Sequence, residues 1–296
     1  MKPSHIVLLI CIAALWGFNF VAIRVGLDHV PPITFSAMRF IAVFFPAVLF
    51  VKKPNLPWSK IAAYGVVMFV GQFSFLFTAM HVGLSTGLAS LLLQMQAFFT
   101  IGFAVLFLKE KAAFYQFLGA LIAATGLILV GTHAGGEVTG AGILLVLCGA
   151  ASWGGGNVLT KTFGKVDMFG VIIWSSVFAF PLLLGLAFLM EGKDAVIGGF
   201  TNMGASTLAA LAYIAYVSTL VGFTTWSRML GHYPAAMVAP FTLLVPAFGM
   251  LGAAWFLGEA YPLWKFEATL LIITGLCVNQ FGGRFVNFIR RKKFGE

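Results

Sequence analysis

The sequence predicts an all-α integral membrane protein of ten transmembrane helices, arranged as two inverted five-helix repeats. Three observations predict it. First, 60% of the 296 residues are hydrophobic and only 9% are charged, against about 25% charged in an ordinary soluble domain. So few charges cannot hydrate the surface of a chain this long, so that surface faces lipid. Second, the apolar residues fall into ten runs, each long enough to cross a bilayer core ~30 Å thick. Third, the second five runs echo the first five. A soluble enzyme, a secreted disulfide scaffold and a nucleic-acid binder are excluded. The net charge of +9 lies between the apolar runs, where it orients a membrane protein. Cys11, Cys148 and Cys277 all fall inside apolar runs and form no disulfide framework.

The runs are residues 5–26, 33–51, 61–80, 85–107, 112–131, 140–161, 168–190, 206–229, 235–257 and 264–284. Short linkers carry the breakers Pro31-Pro32, Lys52-Lys53-Pro54, Gly135-Gly136 and Glu191-Gly192-Lys193-Asp194. The first run follows Lys2, as in a signal peptide. It lacks a small-x-small cleavage site, and its sequence recurs later, so a permanent helix is expected. Ten crossings put both termini on one side. That side receives Lys2, Lys52, Lys53, Lys60, Lys109, Lys111, Lys161, Lys165, Arg228, Arg284, Arg290, Arg291, Lys292 and Lys293, which is 14 of the 18 basic residues. Arg24, Lys193 and Lys265 fall on the other side, and Arg39 lies within the second run. The excess of positive charge predicts cytoplasmic termini. Asp28, Glu137, Glu191, Asp194 and Glu259 are then external.

Residues 8–17, LLICIAALWG, return as LVLCGAASWG at 145–154, pairing Cys11 with Cys148, Trp16 with Trp153 and Gly17 with Gly154. After one inserted residue Asn19 matches Asn157, and Pro46 and Pro181 lie in the second run of each half. KEKAAFYQFLGALIAATGL (109–127) parallels GEAYPLWKFEATLLIITGL (258–276), aligning Glu110 with Glu259. The repeats are residues 1–135 and 136–296, the second with a basic tail. A copy that begins after five crossings enters the membrane from the opposite side, so the halves are related by a two-fold axis in the membrane plane. Secondary transporters are built this way, with a midplane site opened to each side in turn. Duplication as a simple route to a helical bundle is the alternative.

WGFNFVAIRVGL in the first run, GQFSFLFTAM in the third, GLASLLLQMQAFFT in the fourth and the Glu-ended fourth run before a Gly-containing fifth carry a resemblance. The chain resembles the drug/metabolite transporter superfamily and, within it, the EamA family, over nearly its whole length. It is similar to bacterial exporters of amino acids and related metabolites, of the O-acetylserine/cysteine exporter type and more distantly the aromatic amino-acid exporters. The resemblance implies ten helices, inverted repeats and export across the bacterial inner membrane. The family's apolar motifs specify fold better than substrate.

Polar residues deep in hydrocarbon are costly unless they face a cavity or one another, so they are the candidate substrate-binding residues. Trp16 and Asn19 share a helix face, and Trp153 and Asn157 repeat the pair. An indole plane beside an amide suits an amino acid's ammonium, carboxylate and apolar side chain; interhelical glue is an equal alternative for the Asn residues. The third run places Tyr64, Met68, Gly71, Gln72, Phe75 and Ala79 on one face, and the eighth carries Tyr213, Tyr216, Ser218, Thr219, Gly222 and Trp226. In the fourth run Ser90, Gln94 and Gln96 are polar. An ideal helix separates Gln94 from Gln96 by about 200°, so at most one is expected to face a shared cavity. Pro240 and Pro246 in the ninth run each free a backbone carbonyl and open the helix where it lines a cavity. Gly154–Gly156 permit a bend in the sixth run, and Gly83 with Gly87 reads as a small-xxx-small pair.

Arg39 and Glu267 are the candidate charge or gating residues. An unpaired Arg39 would cost about 2.5–3.5 kcal/mol on insertion scales, so a structural pair with Asp28 or Glu267 is expected over a substrate carboxylate. No acid sits at the centre of a run, which points to facilitated or weakly proton-coupled exchange. Without a P-loop sequence ATP drive is not expected. No cofactor and no metal are expected; the partners are a small-molecule substrate and the lipid bilayer, with no nucleic acid, and the protein is expected to be a monomer. An embedded enzyme would need a nucleophile–base pair, a metal cluster or a carboxylate dyad; no HExxH, no CxxC and no pair of acids within one run is present. A channel would need a filter loop or charged ring, and a pump for cationic drugs a buried acid. Export of amino acids or related zwitterions is the expected function, with export of other metabolites or drugs the alternative.

Overall fold

The computed structural model describes residues 1–133, 138–233 and 235–294, without the side chains of 227, 230, 231, 235, 236 and 285–294. The Gly135-Gly136 linker, Glu137 and the side chains of Arg290, Arg291, Lys292 and Lys293 lie outside the described residues. The helices are α1 (Pro3–Leu27), α2 (Pro32–Phe44), α3 (Trp58–His81), α4 (Thr86–Leu108), α5 (Phe114–Thr132), α6 (Gly140–Lys161), α7 (Met168–Met190), α8 (Lys193–Thr201), α9 (Ala205–Trp226), α10 (Ala239–Leu257) and α11 (Leu263–Phe294). Among the described residues nine helical stretches are long and apolar enough to cross a membrane. The last helix, counted from the sequence as the tenth crossing, is not one of them: Lys265, Glu267, Asn279 and Gln280 lower its apolarity.

Local chemistry sets the helix ends. Pro3 and Pro32 open α1 and α2, where a missing N–H has no helical partner to lose. Thr139 caps α6, and Asp167 caps α7. Lys109 and Gly258 close α4 and α10 in the left-handed conformation, at φ 56° and 66°. Two carboxylates from distant loops cap the starts of α2 and α4. Glu191 accepts from the backbone N–H groups of Ile33 (2.6 Å) and Thr34 (2.9 Å) and from the Thr34 hydroxyl (2.6 Å). Glu259 accepts from the backbone of Thr86 and, at 3.1 Å, of Gly87. Negative charge at a helix start is favourable, and hydrogen bonds to charged groups contribute about 1.5–3 kcal/mol. Glu191→Ala is therefore expected to lower the thermal midpoint in detergent, with Glu191→Gln intermediate; an unchanged midpoint for Glu191→Ala would remove the cap from the stabilising contacts.

Several elements differ from their sequence expectation. α2 stops at Phe44, because Phe45 precedes Pro46 and takes an extended conformation; the run finishes as a 3₁₀ turn, Ala47–Leu49. The stretch after Glu191 is more than a linker: Gly192 turns at φ 85° into α8, which buries Val196 and Gly199. α3 and α9 each contain π-helical turns, at Gly65–Gly71 and Tyr213–Val221. α4 and α10 contain 3₁₀ turns, at Leu93–Met95 and Ala239–Leu243. Gly83 sits in the turn before α4 at φ 102°, so it forms no helical pair with Gly87. α6 runs unbroken through Gly154–Gly156; these glycines admit Phe99, Thr100 and Met68 rather than a bend.

Packing brings α1 against α9 and α10, and α6 against α3 and α4. α2 lies on α7 and α9, α7 also meets α3, and α5 pairs with α11. Glycines mark the closest crossings. A Cβ on Gly17 would overlap Phe248 and stand 2.8 Å from the Gly249 nitrogen and the Val245 oxygen. A Cβ on Gly154 would stand 2.8 Å from the Phe99 Cβ and 2.9 Å from the Thr100 nitrogen. Between α5 and α11, Gly119 faces Gly275 and Gly126 faces Ala268.

Candidate functional site

A cavity of about 80 Å³ opens between α1, α2, α3, α4, α6, α9 and α10. Its polar lining is Asn19, Arg39, Gln72, Ser90, Gln94, Gln96, Ser218 and Thr242. Its apolar walls are Trp16, Phe20, Phe69, Phe73, Trp153 and Phe223, with Met68, Leu76, Leu93 and Val245 between them.

Irregular helices supply this polarity. Pro246 has no N–H to donate to the Thr242 carbonyl one turn back. Gln94 Nε2 donates to that carbonyl instead, at 2.9 Å. The π turns of α9 likewise free a carbonyl: the Trp16 indole lies against Gly222 and its N–H donates to the Ser218 oxygen at 3.0 Å. Tyr213 Oη donates to the Leu15 oxygen at 2.9 Å. Gln94 and Gln96 both line the cavity, against the expectation that one would turn away, because the 3₁₀ turn at Leu93–Met95 interrupts the α-helical spacing.

Arg39 is 2% exposed. Its Nη2 donates to Thr219 Oγ1 at 2.9 Å, and that hydroxyl donates to the Ile214 oxygen at 2.8 Å. The guanidinium carbon stands 4.2 Å from the Phe73 ring centroid. Nε and Nη1 have no acceptor, and among the described residues no Asp or Glu lines the cavity. The partners expected from sequence are elsewhere: Asp28 stands 3.6 Å from Arg24, and Glu267 is exposed on α11. Neither hydrogen-bonds Arg39. Two acceptors are also orphaned, Asn19 Oδ1 and Gln72 Oε1, in side chains 7% and 3% exposed.

The cavity brings together Trp16, Asn19, Gln72, Ser90, Gln94, Trp153 and Arg39 from the sequence-derived candidates. Phe75, Asn157, Tyr216, Trp226 and Glu267 do not line it. Phe69, Gln72, Phe73 and Leu76 face inward, while Phe75, about 60° round the regular helix from Gln72, is 37% exposed. The π turns of α9 leave Tyr216 40% exposed and present Ser218 and Phe223. Trp226 packs on Trp16 at 5.2 Å between ring centroids. Asn157 donates to Gln96 Oε1 at 2.9 Å and Thr100 Oγ1 at 3.0 Å, so it ties α6 to α4. At the positions that the repeat pairs with Gln96 and Thr100 the other half carries Val245 and Gly249, whose side chains offer Asn19 no hydrogen-bond partner. Pro240 lies in the 3₁₀ turn of α10, and Pro246 is buried just after it. Trp174 donates to the Val51 oxygen at 3.0 Å, away from the cavity. Sequence reasoning missed Phe20, Phe69, Phe73 and Phe223; the i, i+4 spacing of Phe20 from Trp16 and of Phe73 from Phe69 was the available signal.

The sequence profile described as EamA-like transporter family matches residues 4–132 and again 140–280. The chain is 36% identical over 289 residues, 96% of each chain, to a Salmonella typhimurium protein named "Probable amino-acid metabolite efflux pump". An Escherichia coli protein of the same name is 36% identical over 291 residues, covering 96% of this chain and 97% of that one. A Streptantibioticus cattleyicolor "Probable terminal-alkyne amino-acid exporter" is 25% identical, covering 88% and 89%. A crystal structure of a protein 20% identical superimposes with a TM-score of 0.62, covering 94% of this chain and 96% of that one, a likeness of fold alone. With both halves matched and relatives similar from end to end, the chain belongs to the EamA-like transporter family, a family of multi-pass membrane transporters.

Proposed function

We propose that the protein exports amino acids or related small zwitterionic metabolites across the bacterial inner membrane by alternating access. The observation that carries this reading is the orphaned polar set in the cavity: one guanidinium with free donors and two amide oxygens without donors, walled by aromatic rings. A zwitterion supplies the missing partners of both kinds in one small molecule. The names of the relatives support the same class.

The reading takes α11 as the tenth crossing and residues 1–135 and 136–296 as inverted repeats. Matching contacts support it. Gly17 meets Phe248 and Gly249 as Gly154 meets Phe99 and Thr100, positions paired by the internal alignment. Gly119 meets Gly275 as Gly126 meets Ala268. π turns recur in α3 and α9, 3₁₀ turns in α4 and α10. Both termini are assigned to the cytoplasm by the distribution of Lys and Arg, and the protein acts as a monomer.

Counterflow in proteoliposomes tests the function. A panel of labelled alanine, serine, cysteine, valine, leucine and phenylalanine is expected to give uptake driven by the same unlabelled amino acid inside, without an imposed pH gradient. Uptake of none of them above protein-free liposomes would overturn the reading. Uptake only with a pH gradient would overturn its exchange mechanism.

A further inference from the structure

We propose that Arg39 is the substrate's carboxylate anchor, with Asn19 Oδ1 and Gln72 Oε1 receiving its ammonium, so that a free carboxylate is required for transport. The inference rests on the proposed amino-acid export and names which parts of the substrate are read.

The chemistry of the cavity leaves few alternatives. A buried guanidinium needs either an anion or several acceptors. Arg39 has one hydroxyl acceptor, Thr219 Oγ1, and the face of Phe73. A cation–π contact stabilises the guanidinium face. It does not replace the missing acceptors of Nε and Nη1, because an unmade hydrogen bond at a charged group costs more than one at a neutral group. A carboxylate supplies both the charge and the acceptors. Among the described residues no carboxylate lines the cavity; Asp28 and Glu110, paired with Arg24 and Lys161, are not part of its wall. The ammonium end meets neutral acceptors only. Asn19 Oδ1 and Gln72 Oε1 each take one N–H, and neither brings a charge that would hold a carboxyl-free amine. The charged contact therefore belongs to the carboxylate, and the amine contact is the weaker of the two. Thr219 is a positioning residue: it holds one edge of the guanidinium by a hydroxyl that is itself fixed on the Ile214 carbonyl.

The test uses the full-length protein in the counterflow assay, with the transported amino acid of the panel as label. The competitors are the same amino acid unlabelled, its carboxamide and its N-acetyl derivative. Wild type is expected to be inhibited at least tenfold less well by the carboxamide than by the amino acid, with the N-acetyl derivative between them. In Arg39→Gln the ratio of amino acid to carboxamide falls to about one; in Arg39→Lys, which keeps the charge, the preference for the carboxylate persists at weaker apparent affinity. Elution profile and thermal midpoint of each variant report folding. Equal inhibition of wild type by amino acid and carboxamide would overturn the inference even if Arg39→Gln fails to fold, and leaves amino-acid export standing. An undiminished preference in folded Arg39→Gln would also overturn it. Absence of counterflow for every labelled amino acid removes the export reading, and this inference with it.

Discussion

Gly17→Leu is expected to destabilise the assembled protein strongly, and to lower transport with it. A Cβ at residue 17 meets the backbone of α10, at the Gly249 nitrogen and the Val245 oxygen, each 2.8 Å away. Backbone atoms in a packed helix cannot rotate aside as a side-chain end can, so α1 and α10 must separate. Overpacking typically costs ~1–3 kcal/mol, and four added carbons in a backbone crossing place this variant at the upper end. The separation also widens the wall that Trp16 and Val245 give the cavity. Gly185→Leu is the control, because nothing lies within 4 Å of a Cβ there. Monodisperse yield and thermal midpoint in detergent check the pair: both fall for Gly17→Leu and hold for Gly185→Leu. A Gly17→Leu protein as stable as wild type would contradict the close crossing.

Asn19→Ala and Gln72→Ala are each expected to reduce transport at least tenfold while leaving the thermal midpoint unchanged or raised. The sign follows from hydrogen-bond accounting. Asn19 Oδ1 and Gln72 Oε1 are buried without donors, so their removal relieves an unmet desolvation cost instead of breaking a bond. A substrate ammonium loses the same acceptors. Asn157→Ala separates the two effects, since it breaks hydrogen bonds to Gln96 and Thr100, and each such bond contributes about 0.5–1.5 kcal/mol. It is expected to lower the midpoint. Transport rate and midpoint measured together for the three variants check this; normal transport by both Asn19→Ala and Gln72→Ala would remove these residues from the site.

Much of the architecture is legible because hydrocarbon is a strict solvent. It demands long apolar helices, and among the described residues nine of them follow from composition and length alone. The α11 helix is less plain because its apolar stretch is bounded by Lys265 and Glu267 at one end and Asn279 and Gln280 at the other. The site is legible where burial makes a polar residue expensive, as for Asn19, Gln72, Gln94 and Arg39. It is illegible where the backbone leaves the α-helical period. Counting in turns of 3.6 residues places Tyr216 inward, and the π turns around it rotate it out; Phe75 shares a regular helix with Gln72 and falls beside the inward face that Gln72, Phe73 and Leu76 make. The sequence offers Arg39 only acids as partners, Asp28 and Glu267. The structure supplies instead Thr219, 180 residues away, which no periodicity announces. The two Asn residues show the remaining gap. Identical in the repeat, they differ because Gln96 and Thr100 in one half correspond to Val245 and Gly249 in the other.

Thiol labelling of a single cysteine in the cavity probes the inverted pair and its shared hollow most directly. Ser218→Cys is nearly isosteric and lines the cavity; Cys11, Cys148 and Cys277 are first replaced by Ala. Labelling by a membrane-impermeant maleimide is measured in right-side-out and inside-out vesicles, with and without the transported amino acid. Two inverted five-helix units around a midplane cavity predict labelling from both sides and protection by substrate on each. Labelling from neither side, or from one side alone whether or not substrate is present, would contradict it.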